Sequence, residues 1–184
     1  MDNTMAPATP FTISDPLREM NAIAAQDNSL VFPHFTAEDA WELGNLFRAR
    51  LITIPTPVAI DISTATKQQL FRTVTHGGTT AQHSSWIERK RNTVLRFGSS
   101  TWFIHNKFAS DDRAFAAKYG LSNAEYGMDG GGWPVKVRGV EGVVAVIVIS
   151  GMLMAQDHQS IIQIVQEYLD GIGAGQEGEK KKED

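Results

Sequence analysis

The sequence predicts an α/β (α+β) sandwich, a central and mostly antiparallel β-sheet flanked by helices. Three observations carry that expectation. Segments with period-two apolar alternation, such as Val58, Ile60 and Ile62, are interleaved with segments whose apolar residues recur every three or four positions. The run Val143 to Ile149 is apolar on both faces of a strand, as a central strand covered on both sides requires. The inferred order is helix, two strands, several helices, two strands, helix, which suits neighbouring strands that run antiparallel beneath packed helices.

Each element has a local reason. Asp15-Pro16 followed by Leu17, Met20, Ile23 and Ala24 predicts a short capped helix. Thr36 to Asp39 resembles a capping box, and Ala40, Leu43, Phe47 and Leu51 then share one helical face. Pro55 and Pro57 end that region before the strand Val58 to Ile62, with Leu70 to Val74 as its partner. Thr79-Thr80 opens a long helix to about Phe97, followed by shorter helices over Ser99 to Phe108 and Asp111 to Tyr119. Glycines 127 and 130–132 mark a loop, after which Trp133, Val135 and Val137 alternate with Pro134, Lys136 and Arg138 as a strand with one wet face. Gly139 to Gly142 forms a turn into the central strand. Asp157 is positioned to cap a closing helix that carries Ile161, Ile164, Val165, Tyr168 and Leu169, leaving His158 exposed beside it. Residues 15–171 are expected to form one domain, with a disordered arm at 1–14 and a disordered Gly-, Glu- and Lys-rich tail at 172–184.

Composition narrows the function classes. Of the 184 residues 42% are hydrophobic and 21% charged, the balance of a globular protein with a real core. There is no cysteine, which removes disulfides, thiolate nucleophiles and cysteine-ligated zinc. The five histidines lack the i, i+4 pairing of a helical metal site, so no metal is predicted. No apolar run approaches the roughly 20 residues of a membrane span, and the first ten residues do not read as a signal peptide, so a cytoplasmic protein without a membrane partner is expected. A net charge of −4 argues against nucleic acid as a partner. Nucleophile-elbow, Walker and dinucleotide-binding signatures are absent, so no reaction is assigned and a non-catalytic role is preferred. His76 to Thr80 has the Gly-Gly-Thr-Thr form of either an anion-binding turn or a plain helix cap, and a plain turn accounts for it.

The charge is segregated. Between Lys67 and Lys107 seven basic residues face one acidic residue, Glu88, a local balance of +6. On a helical wheel at about 100° per residue, Trp86, Ile87, Val94, Leu95 and Phe97 define an apolar arc of about 180°. Lys90 and Arg91 fall inside that arc, whereas Arg89 and Arg96 lie together on the polar side. Cations on a core-facing arc need a carboxylate, an anionic ligand or a neighbouring subunit. Asp61 is one internal carboxylate for them, and an anion pocket or subunit contact would use the same charges. Asp157-His158 is the one adjacent acid–histidine pair.

The segment Trp86 to Gly98, reading WIERKRNTVLRFG, resembles the signature of the UPF0303 (DUF967) family, within the haem-degrading-domain superfamily of HbpS- and GlcG-like proteins. Pro57 to Ile62, Gly78 to Thr80, Gly130 to Gly139, Ser150-Gly151 and Asp157-His158 extend the likeness over about Phe35 to Leu169. It departs from the family's pattern at Asp129 and Trp133, where relatives carry His and Phe. The resemblance implies the HbpS/GlcG-like sandwich and a homo-oligomer whose subunit contact receives the basic helix. The expected function is that of a binding or adaptor protein for protein partners or a small anionic ligand, through Trp86, Arg89, Lys90, Arg91, Arg96, Asp61, His83, Asp157 and His158. No cofactor is predicted; the alternative is haem, bound by His158 or His83 with Arg89, Lys90 and Arg91 facing its propionates.

Overall fold

The computed structural model describes residues 9–183, with side chains through Gly173. The elements are α1 (Met20–Ser29), β1 (Val31–Phe32), α2 (Ala37–Leu51), β2 (Ala59–Thr64), β3 (Gln69–Val74), α3 (Ala81–Phe97), α4 (Thr101–Lys107), α5 (Asp112–Tyr119), β4 (Gly132–Val137), β5 (Ala145–Ser150) and α6 (Met154–Glu183). The strands form one sheet in the order β1-β4-β5-β2-β3, with β1 parallel to β4 and every other neighbouring pair antiparallel. The predicted sandwich is therefore what the chain forms.

Strand alternation divides the core into two layers. Ile60 and Ile62 of β2, Trp133 and Val135 of β4, and Ile147 and Ile149 of β5 share one buried cluster with Leu43 and Phe47 of α2 and Ile161 and Ile164 of α6. The intervening residues Ala59, Val146 and Val148 meet Ile87 and Val94 of α3 on the opposite face. Every residue of β5 is consequently buried, as the double-faced apolar run requires. Each such Ile or Val contributes about 1.5–3 kcal/mol on burial, which makes β5 the strand that fixes the register of the sheet. A third cluster, Ile104, Phe115 and Met128, holds α4 and α5 together.

At the start of α2 the capping box forms with aspartate in the usual glutamate position: Thr36 N–H donates to Asp39 Oδ2 at 2.6 Å and Asp39 N–H to Thr36 Oγ1 at 3.3 Å. Three expectations are corrected, and one strand, β1, is added. α1 begins at Met20 rather than near Asp15, because Glu19 accepts from the Asn21 and Ala22 amides and Leu17 gives its carbonyl to the Trp102 indole at 2.7 Å. β4 has no wet face from Gly132 to Val135, since α3 and Thr101 cover it, and only Lys136 and Val137 reach partial exposure. β1 is too short at two residues to show alternation and was invisible to a periodicity reading. α6 starts at Met154, so Asp157 lies inside its first turn and is not its cap.

Of the expected arm at 1–14, residues 1–8 lie outside the described residues. Phe11 donates its N–H to Thr53 Oγ1 at 2.9 Å and packs against the core, and Ser14 N–H donates to Gln163 Oε1 at 3.1 Å, so this part is fastened to the fold. The expected tail at 172–184 falls, from residue 174 onward, on side chains outside the described residues. Among the described residues no helix is long and apolar enough to cross a membrane.

Candidate functional site

α3 lays Ile87 and Val94 on the sheet, and the same helical spacing drives Lys90 and Arg91 inward, leaving them 2% and 8% exposed. Each cation meets a carboxylate. Asp61 sits on β2 between Ile60 and Ile62, so alternation points it at α3, where Arg91 Nη2 donates to Oδ1 and Arg72 Nη1 of β3 donates to Oδ2 at 3.3 Å. Arg72 lies directly opposite Asp61 in the sheet register. Lys90 Nζ donates to the Ile149 carbonyl at 2.9 Å and to Asp157 Oδ2 at 3.0 Å. Asp157 Oδ1 in turn accepts the Met152 amide at 3.1 Å. Burial pushes the Asp157 carboxyl above the usual carboxylate range, against the opposing pull of the Lys90 ammonium and the Met152 and Gly151 amides.

The glycine run makes this arrangement possible. A Cβ on Gly131 would lie 2.4 Å from the Ile149 carbonyl oxygen, 2.7 Å from Asp157 Cβ and 2.8 Å from Lys90 Nζ, and its φ of +111° is one L side chains rarely adopt. A Cβ on Gly130 would meet the Met154 carbonyl at 2.3 Å. The loop before β4 therefore threads between α3 and the start of α6 at backbone distance.

Above the Lys90–Asp157 pair opens a cavity of about 450 Å³, walled by α3 through His83, Trp86 and Lys90 and by the β5–α6 connection from Ser150 to Met154, with Asp129 and Gln82 at its side. Thr80 N–H donates to His83 Nδ1 at 3.0 Å, so Nδ1 accepts and the ring N–H is at Nε2. Arg89 stacks its guanidinium 3.9 Å from the centre of the Trp86 ring. Arg96 lies over Tyr126 at 5.8 Å and is not among the residues walling the cavity. Asp129 makes no ion pair among the described residues.

The structure thus gathers His83, Trp86, Lys90 and Asp157 at one cavity and sends Asp61 and Arg91 to a separate pair behind α3. One expectation is corrected and one choice is resolved. His158, expected exposed, is 0% exposed, with neither ring nitrogen bonded, and stacks on Trp102 at 5.8 Å. Burial drives its pKa down to about 3. Of the partners open to Lys90 and Arg91, internal carboxylates take both, and the cavity wall holds one cation, Lys90, against two carboxylates, Asp129 and Asp157. Sequence reasoning missed the wall from Met152 to Met154, because three apolar residues between a strand and a helix look like either element's core; the run of three glycines was the signal for a close approach.

A family model described as "Haem degrading protein HbpS-like" matches residues 35–166. A UPF0303 protein of Streptomyces avermitilis is 35% identical over 147 residues, covering 80% of this chain and 88% of that protein. The crystal structure of Ybr137w protein is similar with a TM-score of 0.79 and 30% identity, over 83% of this chain and 88% of that one. A structure of a PduOC–haem complex shares the fold, with a TM-score of 0.56 and 15% identity over 74% of this chain and 93% of that one. With the family model matched over residues 35–166 and a UPF0303 relative 35% identical over most of both chains, the chain belongs to the HbpS-like family and its UPF0303 branch.

Proposed function

We propose that this chain is a homo-oligomeric binding protein for a small molecule, held in the cavity between α3 and the start of α6. The observation that carries the reading is the cavity itself: its volume of about 450 Å³ lies in the range of small-molecule sites, its walls mix Trp86 and Met152 with a few convergent polar groups, and its floor is a rigid buried ion pair. Leu153, 73% exposed, and Met154 stand at its rim, an apolar edge that a neighbouring copy would cover.

Haem is the group named in the family's description, and His83 and His158, the two histidines expected to hold it, do not fit it. A haem-ligating imidazole presents an unprotonated nitrogen to iron and donates through the other. His83 is bonded the opposite way round, accepting at Nδ1 and protonated at Nε2, and His158 is sealed against Trp102. Lys90 and Arg91 are bound to Asp157 and Asp61 and are not free to face propionates.

Two titrations test the reading. Fragments of aromatic and aliphatic compounds added to 15N-labelled protein should shift amides of residues 82–90 and 150–157 saturably; shifts confined elsewhere would overturn the cavity as the site. Hemin should give no saturable Soret shift that depends on histidine, and one abolished by His83→Ala or His158→Ala would restore the haem reading. Sedimentation should show an oligomer weakened by Leu153→Asp, whereas a wild-type monomer at micromolar concentration refutes the assembly.

A further inference from the structure

We infer that the cavity selects a small organic cation, an amine with an apolar body, rather than an anion. The inference deepens the cavity reading above and rests on it. Its basis is the charge left over after internal pairing. Lys90 already donates to Asp157 and to the Ile149 carbonyl, so its charge is matched inside the protein. The positive end of α6 is offset as well, because Asp157 stands as a carboxylate in the helix's first turn. His83 Nδ1 is already occupied by the Thr80 amide. Among the residues walling the cavity, what remains is one carboxylate, Asp129, partly exposed on the glycine loop and without an ion-pair partner among the described residues; Arg89, on the Trp86 ring, is not part of the wall.

An anion entering here meets Asp129 with no free cation on the cavity wall to offset it, while an ammonium gains a charge-assisted hydrogen bond there. The apolar surface matches the rest of such a molecule. Trp86 presents its ring to the cavity, with Arg89 on it at 3.9 Å, and Met152, Leu153 and Met154 line the wall toward α6. The Nε2 proton of His83 supplies a donor for a hydroxyl or carbonyl on the same ligand, which sets its orientation. Recognition then consists of one carboxylate for the amine, an apolar wall for its body and one donor for an acceptor group.

Three near-isosteres separate the charge classes: 2-phenylethylamine, 2-phenylethanol and 3-phenylpropionate, each titrated by calorimetry against the full chain, with Trp86→Phe assigning the accompanying fluorescence change. The amine should bind at one per chain, at least tenfold more tightly than the alcohol, with 3-phenylpropionate weakest. Asp129→Asn should remove the amine's advantage while leaving the alcohol's affinity and the melting temperature unchanged. Preferential binding of 3-phenylpropionate, or an amine affinity indifferent to Asp129→Asn, overturns the cation assignment and leaves the cavity reading standing. Binding of none of the three, together with silent amides at 82–90 and 150–157 in the fragment titration, defeats both.

Discussion

Lys90 of α3 and Asp157 of α6 meet at 3.0 Å with both side chains 3% exposed, and the backbone at Gly131 passes close enough that no side chain fits there. The pair joins the helix on one face of the sheet to the start of the helix on the other. Its ammonium also holds the Ile149 carbonyl near the end of β5, so three elements depend on one nitrogen.

Removing one partner leaves the other charge buried alone. Lys90→Met and Asp157→Asn should each lower unfolding stability by about 3–5 kcal/mol, and the double variant should lose much less than their sum. Urea denaturation of the four proteins checks this; additive losses would mean that the two groups do not act as a pair.

Asp61 is shared unequally by two arginines. Arg91, nearly buried, should cost about 3 kcal/mol or more when changed to Met, because it leaves a fully buried carboxylate short of a partner. Arg72→Ala removes a longer bond from a more exposed side chain and should cost about 1 kcal/mol or less. Equal losses in chemical denaturation would contradict the difference in burial.

Gly131 and Gly139 both have positive φ but different surroundings. Gly131→Ala adds a collision with the Ile149 carbonyl and Asp157 to the backbone strain and should cost about 2–5 kcal/mol. Gly139→Ala, with nothing within 4 Å of its added Cβ, should cost about 1–2 kcal/mol for the strain alone. Thermal denaturation ranks them, and a Gly131→Ala no worse than Gly139→Ala would remove the close approach as the reason for the glycine run.

His158 gives the fold an acid sensitivity of known sign. Its folded pKa near 3 lies below the unfolded value of 6.5, so the unfolded chain binds the extra proton and stability falls as pH drops from about 6.5 toward 3. The slope approaches about 1.4 kcal/mol per pH unit, for a total of about 4–5 kcal/mol. Asp27 and Asp157, both raised by burial, work in the opposite direction at the acid end of this window. His158→Phe keeps a ring against Trp102 and removes the titration, so its stability should fall less than the wild type's between pH 6 and 4. Identical profiles would place the acid sensitivity elsewhere.

Much of the fold was legible because its signals are local. Val143 to Ile149 announced a central strand through apolar residues on both faces, and Thr36 to Asp39 announced a helix start through a bond between near neighbours. The wheel of α3 placed Lys90 and Arg91 inward from their spacing alone. The site was less legible. Asp61 was recognised as a partner for the buried cations, yet it takes Arg91 and Arg72 and leaves Lys90 to Asp157. His158 read as exposed because Asp157 beside it looked like a cap; the helix starts three residues earlier, and this turns the histidine onto Trp102.

By itself the sequence determined the order of the elements, the double-covered strand and the presence of two cations on a core-facing arc, since each follows from side-chain spacing within about 20 residues. Tertiary structure alone decided which carboxylate each cation takes, that Asp129 lines the same cavity as Trp86, and that the glycine run passes between α3 and α6 at backbone distance. Those outcomes depend on the register of elements far apart in the chain, Lys90 and Asp157 being separated by 67 residues, and a pairing at that range is set by how the sheet and its helices close, not by local pattern.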